Sequence, residues 1–155
     1  MQAISEGSND AIFAKDREGR YLIGNPIFAA AVGHPHGAFI GRTDLDILAD
    51  EDQARIIMGN DRAIIDSGEM RQVEEALVLP DGEMSYWLAV KAPFFDASGQ
   101  AQGIVAMSFD VTDRRKAEER LRFLADEVDH RAKNLLGVVL SLVRLTKVDD
   151  VGAFK

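Results

Sequence analysis

Residues 21–28, Tyr21-Leu-Ile-Gly-Asn-Pro-Ile-Phe28, place a short strand directly before the start of a helix. Asn25 can cap free helix amides, and Pro26 at the first helical position loses no hydrogen bond. The run Ala11-Ile-Phe-Ala-Lys15 is also strand-like, and Asp16-Arg-Glu-Gly19 supplies turn residues between the two runs. The sequence therefore predicts a hairpin that leads into a short helix.

A longer helix is predicted from Asp50. Acidic residues begin this segment, Gln53 occupies the position of a capping box, and apolar residues recur at helical spacing until Gly68 ends the helix. Glycine and proline are frequent between residues 33 and 41, which favours loops with single helical turns there.

Three extended stretches follow, near residues 70–79, 85–95 and 103–111, separated by turns that contain glycine. They predict an antiparallel meander, which makes five strands together with the hairpin. The last stretch alternates apolar with small or polar residues, so we expect its apolar face to pack on the core. The apolar members are Val105, Met107, Phe109 and Val111.

The composition excludes several classes of function. Eighteen basic against 26 acidic residues give a net charge of −8, which disfavours nucleic acid and anionic membranes as partners. The absence of cysteine excludes disulfides and thiolate-rich zinc sites, and a cytoplasmic location is expected. The longest apolar run, around Leu135 to Val143, is too short to span a bilayer.

The order of these elements resembles the PAS fold. Three motifs carry the resemblance: residues 21–28, Gly41-Arg-Thr-Asp-Leu-Asp46, and Asp110-Val-Thr-Asp113. The resemblance covers residues 5–113 and implies an α+β sensory domain, in which short helices are inserted after the second strand of a five-stranded antiparallel sheet. It also implies a candidate site for an unknown small molecule between the sheet and the helices.

The sequence narrows what such a site could hold. Without cysteine, the flavin-adduct photochemistry of light-sensing relatives is excluded, and residues 50–66 lack the histidine that haem-binding relatives commonly use. His34 and His36 are interpreted as loop residues, since metal sites normally need three or four protein ligands. We expect no metal and no cofactor in this chain. Candidate pocket residues, for which core packing is the alternative role, are Phe28, Phe39, Tyr86, Trp87 and Phe109.

One long helix is predicted beyond Thr112, because good helix formers dominate and proline is absent. Its apolar residues recur in steps of four and three, with Arg131 interrupting the seam. Such a stripe must be covered by another helix, so the segment predicts a homodimer through a coiled coil, with the sensory domain as a second candidate contact. The seam consists of Ala117, Leu121, Leu124, Val128, Leu135, Val138, Leu142 and Leu145.

The segment Asp126-Glu-Val-Asp-His130-Arg-Ala-Lys-Asn134 resembles the phosphoacceptor box of sensor histidine kinases. The form His-Arg-x-Lys-Asn is that of the HWE and related HisKA_2-like subfamilies. The resemblance implies that His130 accepts a phosphoryl group. A histidine with a pKa of about 6.5 is mostly neutral, and so nucleophilic, at cytoplasmic pH.

The neighbours of His130 suggest supporting roles. Asn134 lies one turn later on the same face, where its amide could donate to phosphate oxygens. Arg131 and Lys133 can offset the charge of an incoming phosphate. Asp126 and Glu127 lie one turn earlier, close enough to fix the tautomer of the ring.

The leading hypothesis is the sensory and phosphoacceptor portion of a two-component sensor histidine kinase. Residues 114–146 would form the signalling and phosphoacceptor helix, and residues 147–155 a truncated tail. ATP and Mg²⁺ would be held by a kinase domain absent from this chain, which should therefore be inactive alone. His130 would pass its phosphate to an aspartate of a response regulator. The alternative is a ligand-binding or dimerisation module without phosphotransfer.

Overall fold

The computed structural model describes residues 10–152 and the side chains of residues 10–146. Residues 5–9 of the predicted sensory domain lie outside this range. In chain order, the described elements are β1 (Ala11–Asp16), β2 (Tyr21–Gly24), α1 (Pro26–Val32), α2 (Asp44–Ile47), α3 (Glu51–Ser67), β3 (Arg71–Val78), β4 (Met84–Phe95), β5 (Ala101–Asp110) and α4 (Thr112–Gly152).

The five strands form one antiparallel sheet in the order β2-β1-β5-β4-β3. The last strand, β5, lies at its centre because it pairs with β1 on one side and with β4 on the other. Helix α1 packs against β1, and α3 packs against β3, β4 and β5. The predicted α+β fold, with its helices inserted after the second strand, is confirmed.

Asn25 caps α1 as predicted and also ties this helix to the sheet. Its Oδ1 accepts from the backbone N–H of Phe28 at 2.9 Å and from that of Ile12 at 3.0 Å. The second bond goes to β1, so the start of α1 is fixed relative to the sheet. One side chain thus satisfies amides in two elements.

Helix α3 begins one residue after Asp50, whose Oδ1 accepts from the backbone N–H groups of Asp52 and Gln53 at 2.9 and 3.1 Å. The predicted capping role of the Gln53 side chain is wrong. Its Oε1 instead accepts from the backbone N–H of Val78, at 3.3 Å, at the end of β3. Because the end of β3 lies beside the start of α3 in the folded domain, the Gln53 amide bonds β3 and not the backbone at the start of its own helix.

The predicted orientation of β5 is reversed. Val105 and Met107 are 45% and 40% exposed, whereas Ile104, Ala106 and Ser108 are buried under the helices. Pairing with β1 sets Ala106 opposite Phe13, and both residues belong to the buried core. Alternation identified the two faces of β5, but the large side chains of neighbouring elements decided which face lies inside.

Two glycines are required by close approach. A Cβ on Gly103 would lie 1.9 Å from the carbonyl oxygen of Lys15 on the neighbouring strand. A Cβ on Gly24 would lie 2.6 Å from Cε2 of the Phe39 ring. Neither distance is compatible with van der Waals packing, so both positions exclude other residues unless the fold shifts.

The chain divides into two compact units between Asp113 and Arg114. Helix α4 continues to Gly152, beyond residue 146, where the sequence predicted a change from the helix to a tail. Side chains beyond residue 146 and residues 153–155 lie outside the described range. Among the described helices, none combines the length and apolarity that crossing a membrane requires.

Candidate functional site

Five charged side chains meet between the sheet and its helices; we call them the lysine–carboxylate network. Lys15 Nζ on β1 donates to Asp44 Oδ2 at 2.5 Å and to Asp61 Oδ2 at 2.7 Å. Lys91 Nζ on β4 donates to Asp61 Oδ1 at 2.7 Å and also to Glu75 Oε1. Asp61 on α3 therefore bridges the two lysines. The network joins two helices to three strands.

Water is almost completely excluded from this network. Lys15 and Lys91 are 0% exposed, and Asp44 and Asp61 are 1% and 4% exposed. Charges at such depth are tolerated only when they are paired and hydrogen-bonded. Among the described residues, no buried side-chain polar atom lacks a hydrogen-bond partner. The network is thus internally satisfied.

The charged groups of the network shift one another's pKa values. Burial would raise the pKa of Asp61, but the Lys15 and Lys91 ammonium groups outweigh it and hold this pKa below its usual value. Burial would lower the pKa of Lys91, but Asp61 and Glu75 together raise it. For Glu75 burial prevails over its pairing with Lys91, so the pKa of this carboxyl is raised. At Glu75, burial thus favours the protonated carboxyl more than Lys91 favours the charged one.

Tyr21 extends the network to β2. Its hydroxyl donates to Asp44 Oδ1 at 2.5 Å, and burial together with the Asp44 charge raises the tyrosine pKa well above its ordinary value. The Lys15 ammonium lies 4.8 Å from the centre of the Tyr21 ring, within range of a cation–π contact. With all five charged groups ionised, three carboxylates outnumber two lysines. In that state the lysine–carboxylate network carries one excess negative charge.

A cavity of about 30 Å³ adjoins the network. It has room for the centres of about two water molecules. A ligand larger than this would require side chains to move. Aromatic and apolar groups provide much of the wall, and the polar lining residues are Lys15, Tyr21, Asp44, Glu75, Trp87 and Ser108.

The predicted pocket aromatics occupy different positions. Phe28 and Trp87 line the cavity. Phe39 is fully buried and packs edge-on against Phe28, with ring centroids 5.0 Å apart. Phe109 pairs with Leu88 and alternates with buried Ser108, so it lies on the outer face of the sheet. Tyr86 belongs to the same outer face, because it alternates with buried Ser85 and Trp87.

Sequence reasoning missed the lysine–carboxylate network, although its members left a signal. Lys15 and Lys91 stand on the buried side of otherwise apolar strands, and Asp61 falls on the apolar face of α3 beside Ile57 and Ile64. A charge at a core position of an amphipathic element indicates a buried partner. The identity of that partner depended on the tertiary structure.

The two loop histidines each bond a carbonyl group. The Nε2 atom of His34 lies 2.8 Å from the Ile47 carbonyl oxygen, and that of His36 lies 3.0 Å from the Gly24 carbonyl oxygen. These bonds link the loop after α1 to α2 and β2. Their contacts are those of residues that hold a loop in place.

The helical unit carries the second candidate site. His130 is exposed, and two residues along a helix correspond to about 200°, so its side chain points away from seam residue Val128. Arg131 Nη2 donates to Glu127 Oε1 at 2.6 Å. Glu127 is therefore engaged by Arg131, and Asp126 is the other carboxylate one turn before His130. Lys133 and Asn134 are exposed one turn after it.

Apolar residues are concentrated on α4 beyond Asn134. Eight of the eleven residues 135–145 are leucine or valine. These eight side chains are between 47% and 67% exposed within the single chain. A narrow stripe suits one partner helix, whereas a face of this width needs more than one.

Hydrogen bonds hold the segment Asp110-Val-Thr112 against the sheet at the point where α4 begins. The backbone N–H of Tyr86 on β4 donates to Thr112 Oγ1 at 2.9 Å, and the Val111 N–H donates to the Tyr86 carbonyl, also at 2.9 Å. Asp110 Oδ1 accepts from the Thr112 N–H at 2.9 Å. The first residue of α4 is therefore anchored to an inner strand of the sheet.

An antiparallel sheet, inserted helices over an internal polar site, and a helix leaving from the central strand together define a sensory domain of a signalling protein. The chain belongs to the PAS_4 family, described as PAS fold, which matches residues 5–116.

Curated relatives are signalling proteins with different outputs. The methanogenesis regulatory histidine kinase FilI of Methanothrix harundinacea is 31% identical over 117 residues, which cover 76% of this chain and 13% of FilI. A blue-light-activated histidine kinase of Brucella ovis is 30% identical over 104 residues, 67% of this chain and 20% of that protein. A diguanylate cyclase of Vibrio cholerae is 27% identical over 116 residues, 74% of this chain and 36% of the cyclase. The chain thus spans a minor part of these relatives.

Solved structures show the same fold. The PAS domain of Bordetella pertussis BvgS has a TM-score of 0.64 at 23% identity, covering 82% of this chain and 95% of that domain. The VqmA dimer of Vibrio cholerae has a TM-score of 0.66 at 23% identity, covering 73% of this chain and 51% of the VqmA chain.

Proposed function

We propose that the chain is the sensory and phosphoacceptor portion of a two-component histidine kinase of the HWE-like branch, with His130 as the phosphoacceptor. The observation that carries the proposal is the box around His130 on a continuous helix that begins at the exit of the PAS domain. Histidine kinases among the relatives support the coarser assignment. The particular sequence His-Arg-x-Lys-Asn supports the branch.

The chemistry proposed for His130 follows from the polar face on which it lies. Its neutral ring attacks the terminal phosphorus of ATP, the bond from that phosphorus to the β–γ bridging oxygen breaks, and ADP leaves. Lys133 and Asn134, one turn after His130, stabilise charge on the transferred group. Arg131 reaches the same phosphate only after it leaves Glu127, to which it is bonded in the free chain.

Asp126 is the better carboxylate for holding the tautomer of His130. Glu127 is already neutralised by the Arg131 guanidinium, 2.6 Å away. Asp126 lies four residues before His130, where side chains on one helix face meet. A carboxylate at one ring nitrogen keeps the proton there and leaves the other nitrogen free to attack.

The wide apolar face supports a bundle around the phosphoacceptor. We infer that residues 114–128 pair with the same helix of a second copy, and that residues 135–145 lie in a bundle to which each copy adds a further helix. The apolar face has one interruption at Arg131, next to the reacting histidine. A homodimer of this kind also fits the description of VqmA as a dimer.

ATP, Mg²⁺ and the catalytic groups that bind them would belong to a kinase domain of the whole protein, which acts in the cytoplasm. An aspartate of a response regulator would accept the phosphate. The input would be a change at the lysine–carboxylate network and its cavity, with or without an unknown small molecule. Because Thr112 is anchored to Tyr86, movement of β4 would reach α4 directly.

A second candidate function is a PAS binding or dimerisation module whose helix serves another output. The diguanylate cyclase among the relatives supports it, since a similar domain there belongs to a protein of different activity. In that case His130 would be an ordinary surface residue of α4.

Phosphorylation in trans separates the two candidates. The chain is mixed with labelled ATP and the kinase domain of an HWE-type histidine kinase, and histidine phosphate is measured by its stability to alkali and lability to acid. We expect label on the wild type, loss of at least 95% of it in His130→Ala, and unchanged label in the control His36→Ala. Label that persists in His130→Ala, or wild type unlabelled by several such domains, would contradict the proposal.

A further inference from the structure

The three carboxyl groups of the lysine–carboxylate network are not equally bonded. Both oxygens of Asp44 and both oxygens of Asp61 accept a hydrogen bond. Glu75 accepts at Oε1, from Lys91, and within the part of the chain that the structure describes its Oε2 has no donor. Oε2 is therefore the network oxygen that can take up a proton without the loss of a hydrogen bond that the fold already makes.

Glu75 is also the most accessible member of the network. Its side chain is 9% exposed, against 5% or less for the other four. It lines the cavity of about 30 Å³, which has room for about two water molecules. A proton can thus reach Glu75 through water while the rest of the network stays closed. One proton there balances the charges, because it leaves two carboxylates beside two lysines.

The groups that face Glu75 from the neighbouring elements hold their own charge states. On β4, Asp61 and Glu75 together raise the pKa of Lys91. On α3, the pKa of Asp61 is below its usual value, because the lysines outweigh burial. On β2, burial raises the pKa of Tyr21, which keeps its proton. The remaining charged members, on β1 and α2, pair with each other at 2.5 Å and are Lys15 and Asp44.

Glu75 lies on a strand that can separate from the sheet. Strand β3 is at the edge of the sheet and pairs with β4 alone. Glu75 is opposite Trp87 of β4, which lines the same cavity. The end of β3 is held to α3 by the bond from the Val78 N–H to Gln53 Oε1. An edge strand with one partner opens locally at a lower free-energy cost than a strand paired on both sides.

We propose that Glu75 is a proton switch of the PAS domain, which keeps β3 closed when protonated and lets this edge open to water when charged. A buried excess charge is unfavourable, and separation of β3 from β4 around Glu75 brings the carboxylate into water. The closed form is therefore favoured at low pH and loses stability as pH rises through the pKa of Glu75 in the folded domain. That this opening is the sensed input rests on the proposed function.

The first measurement follows the Glu75 carboxyl directly. Glutamate side-chain carboxyls of the full chain are labelled with carbon-13, and the Glu75 signal is identified as the one that Glu75→Gln lacks. We expect this signal to titrate at higher pH in the folded chain than in the chain unfolded in urea. A midpoint at or below that of the unfolded chain would overturn the proposal.

Hydrogen exchange in residues 71–79, followed by mass spectrometry, tests the opening. Glu75→Gln is neutral at every pH, so its β3 should stay closed. At equal pH, wild type should exchange as slowly as Glu75→Gln at pH 4.5, and at least about five times faster at pH 9. The control Glu18→Gln, exposed in the turn between β1 and β2, should match wild type at both values. Equal exchange in wild type and Glu75→Gln at pH 9 would contradict the switch.

The melting temperature at pH 9 guards against a variant that folds poorly. Glu75→Gln should melt at or above the wild-type temperature, and a lower value would show that the charged carboxylate stabilises the fold, against the proposal. Neither the titration nor the exchange involves phosphate. Labelling of His130 in trans without either effect would therefore disprove the proton switch alone, and both effects without labelling would support the switch and contradict the proposed function.

Discussion

Replacing Asp61 with asparagine should destabilise the PAS domain more than any single exposed charge could. Asp61 accepts from Lys15 and from Lys91, both at 2.7 Å, and its side chain is 5% exposed. An asparagine oxygen can accept from one lysine, but the amide N–H groups then face the other. The substitution therefore removes a charge and leaves a buried ammonium group poorly solvated.

The expected loss in the free energy of unfolding depends on which ion pairs Lys15 and Lys91 keep. Removing one member of a buried ion pair typically costs about 3–5 kcal/mol. Lys15 keeps Asp44 and Lys91 keeps Glu75, so we expect the lower end, about 3 kcal/mol. For a domain of about 100 residues this corresponds to a fall in melting temperature of about 12 to 24 °C.

The assay is urea unfolding followed by circular dichroism at pH 7. Asp66→Asn on the same helix is the matched control, because Asp66 is 62% exposed and lies 3.7 Å from its partner Arg62. The control should change the free energy of unfolding by less than about 0.5 kcal/mol. A cost below about 1 kcal/mol for Asp61→Asn would refute the view that the network is a buried, mutually dependent unit.

The pH dependence adds an independent check. Because Lys15 and Lys91 hold the folded pKa of Asp61 below its unfolded value, this group stabilises the fold above the unfolded pKa of about 3.9 and loses that effect as pH falls through the folded pKa. The stability difference between wild type and Asp61→Asn should therefore shrink from pH 7 to pH 3. Glu75 acts oppositely, since its raised pKa favours the fold at low pH and this contribution is lost as pH rises.

Two further predictions concern the sheet and the signalling helix. Gly103→Ala should destabilise the domain by about 3 kcal/mol or more in the same urea assay, because its Cβ would meet the Lys15 carbonyl oxygen at 1.9 Å. Gly59→Ala is the control: its Cβ would have open space around it, so it should stabilise α3 by about 0.5–1 kcal/mol. If the whole protein is the proposed kinase, inserting one residue after Lys116 should disturb the regulation of its phosphorylation, and inserting seven should preserve it, because seven residues restore the seam. Equal costs for the two alanines, or equal effects of the two insertions, would contradict these arguments.

The sequence alone was sufficient for the order of elements and for the long helix on which His130 lies. Strand alternation, the Asn25-Pro26 start of α1 and the turn glycines are local signals, because they depend on residues within a few positions of each other. The box around His130 is equally local, since its members lie within three turns of one helix. Its chemical role stays a prediction until the labelling experiment is done.

Only the tertiary structure decided which face of β5 is buried and what lies at the centre of the domain. An alternating strand can bury either of its two faces. In β5 the buried face is the one that contains Ala106, opposite Phe13 of β1, so Val105 and Met107 point outward. The lysine–carboxylate network joins residues 29 to 46 positions apart around Lys15. No local pattern identifies such partners, because their pairing energy exists only after the chain has brought them together and excluded water.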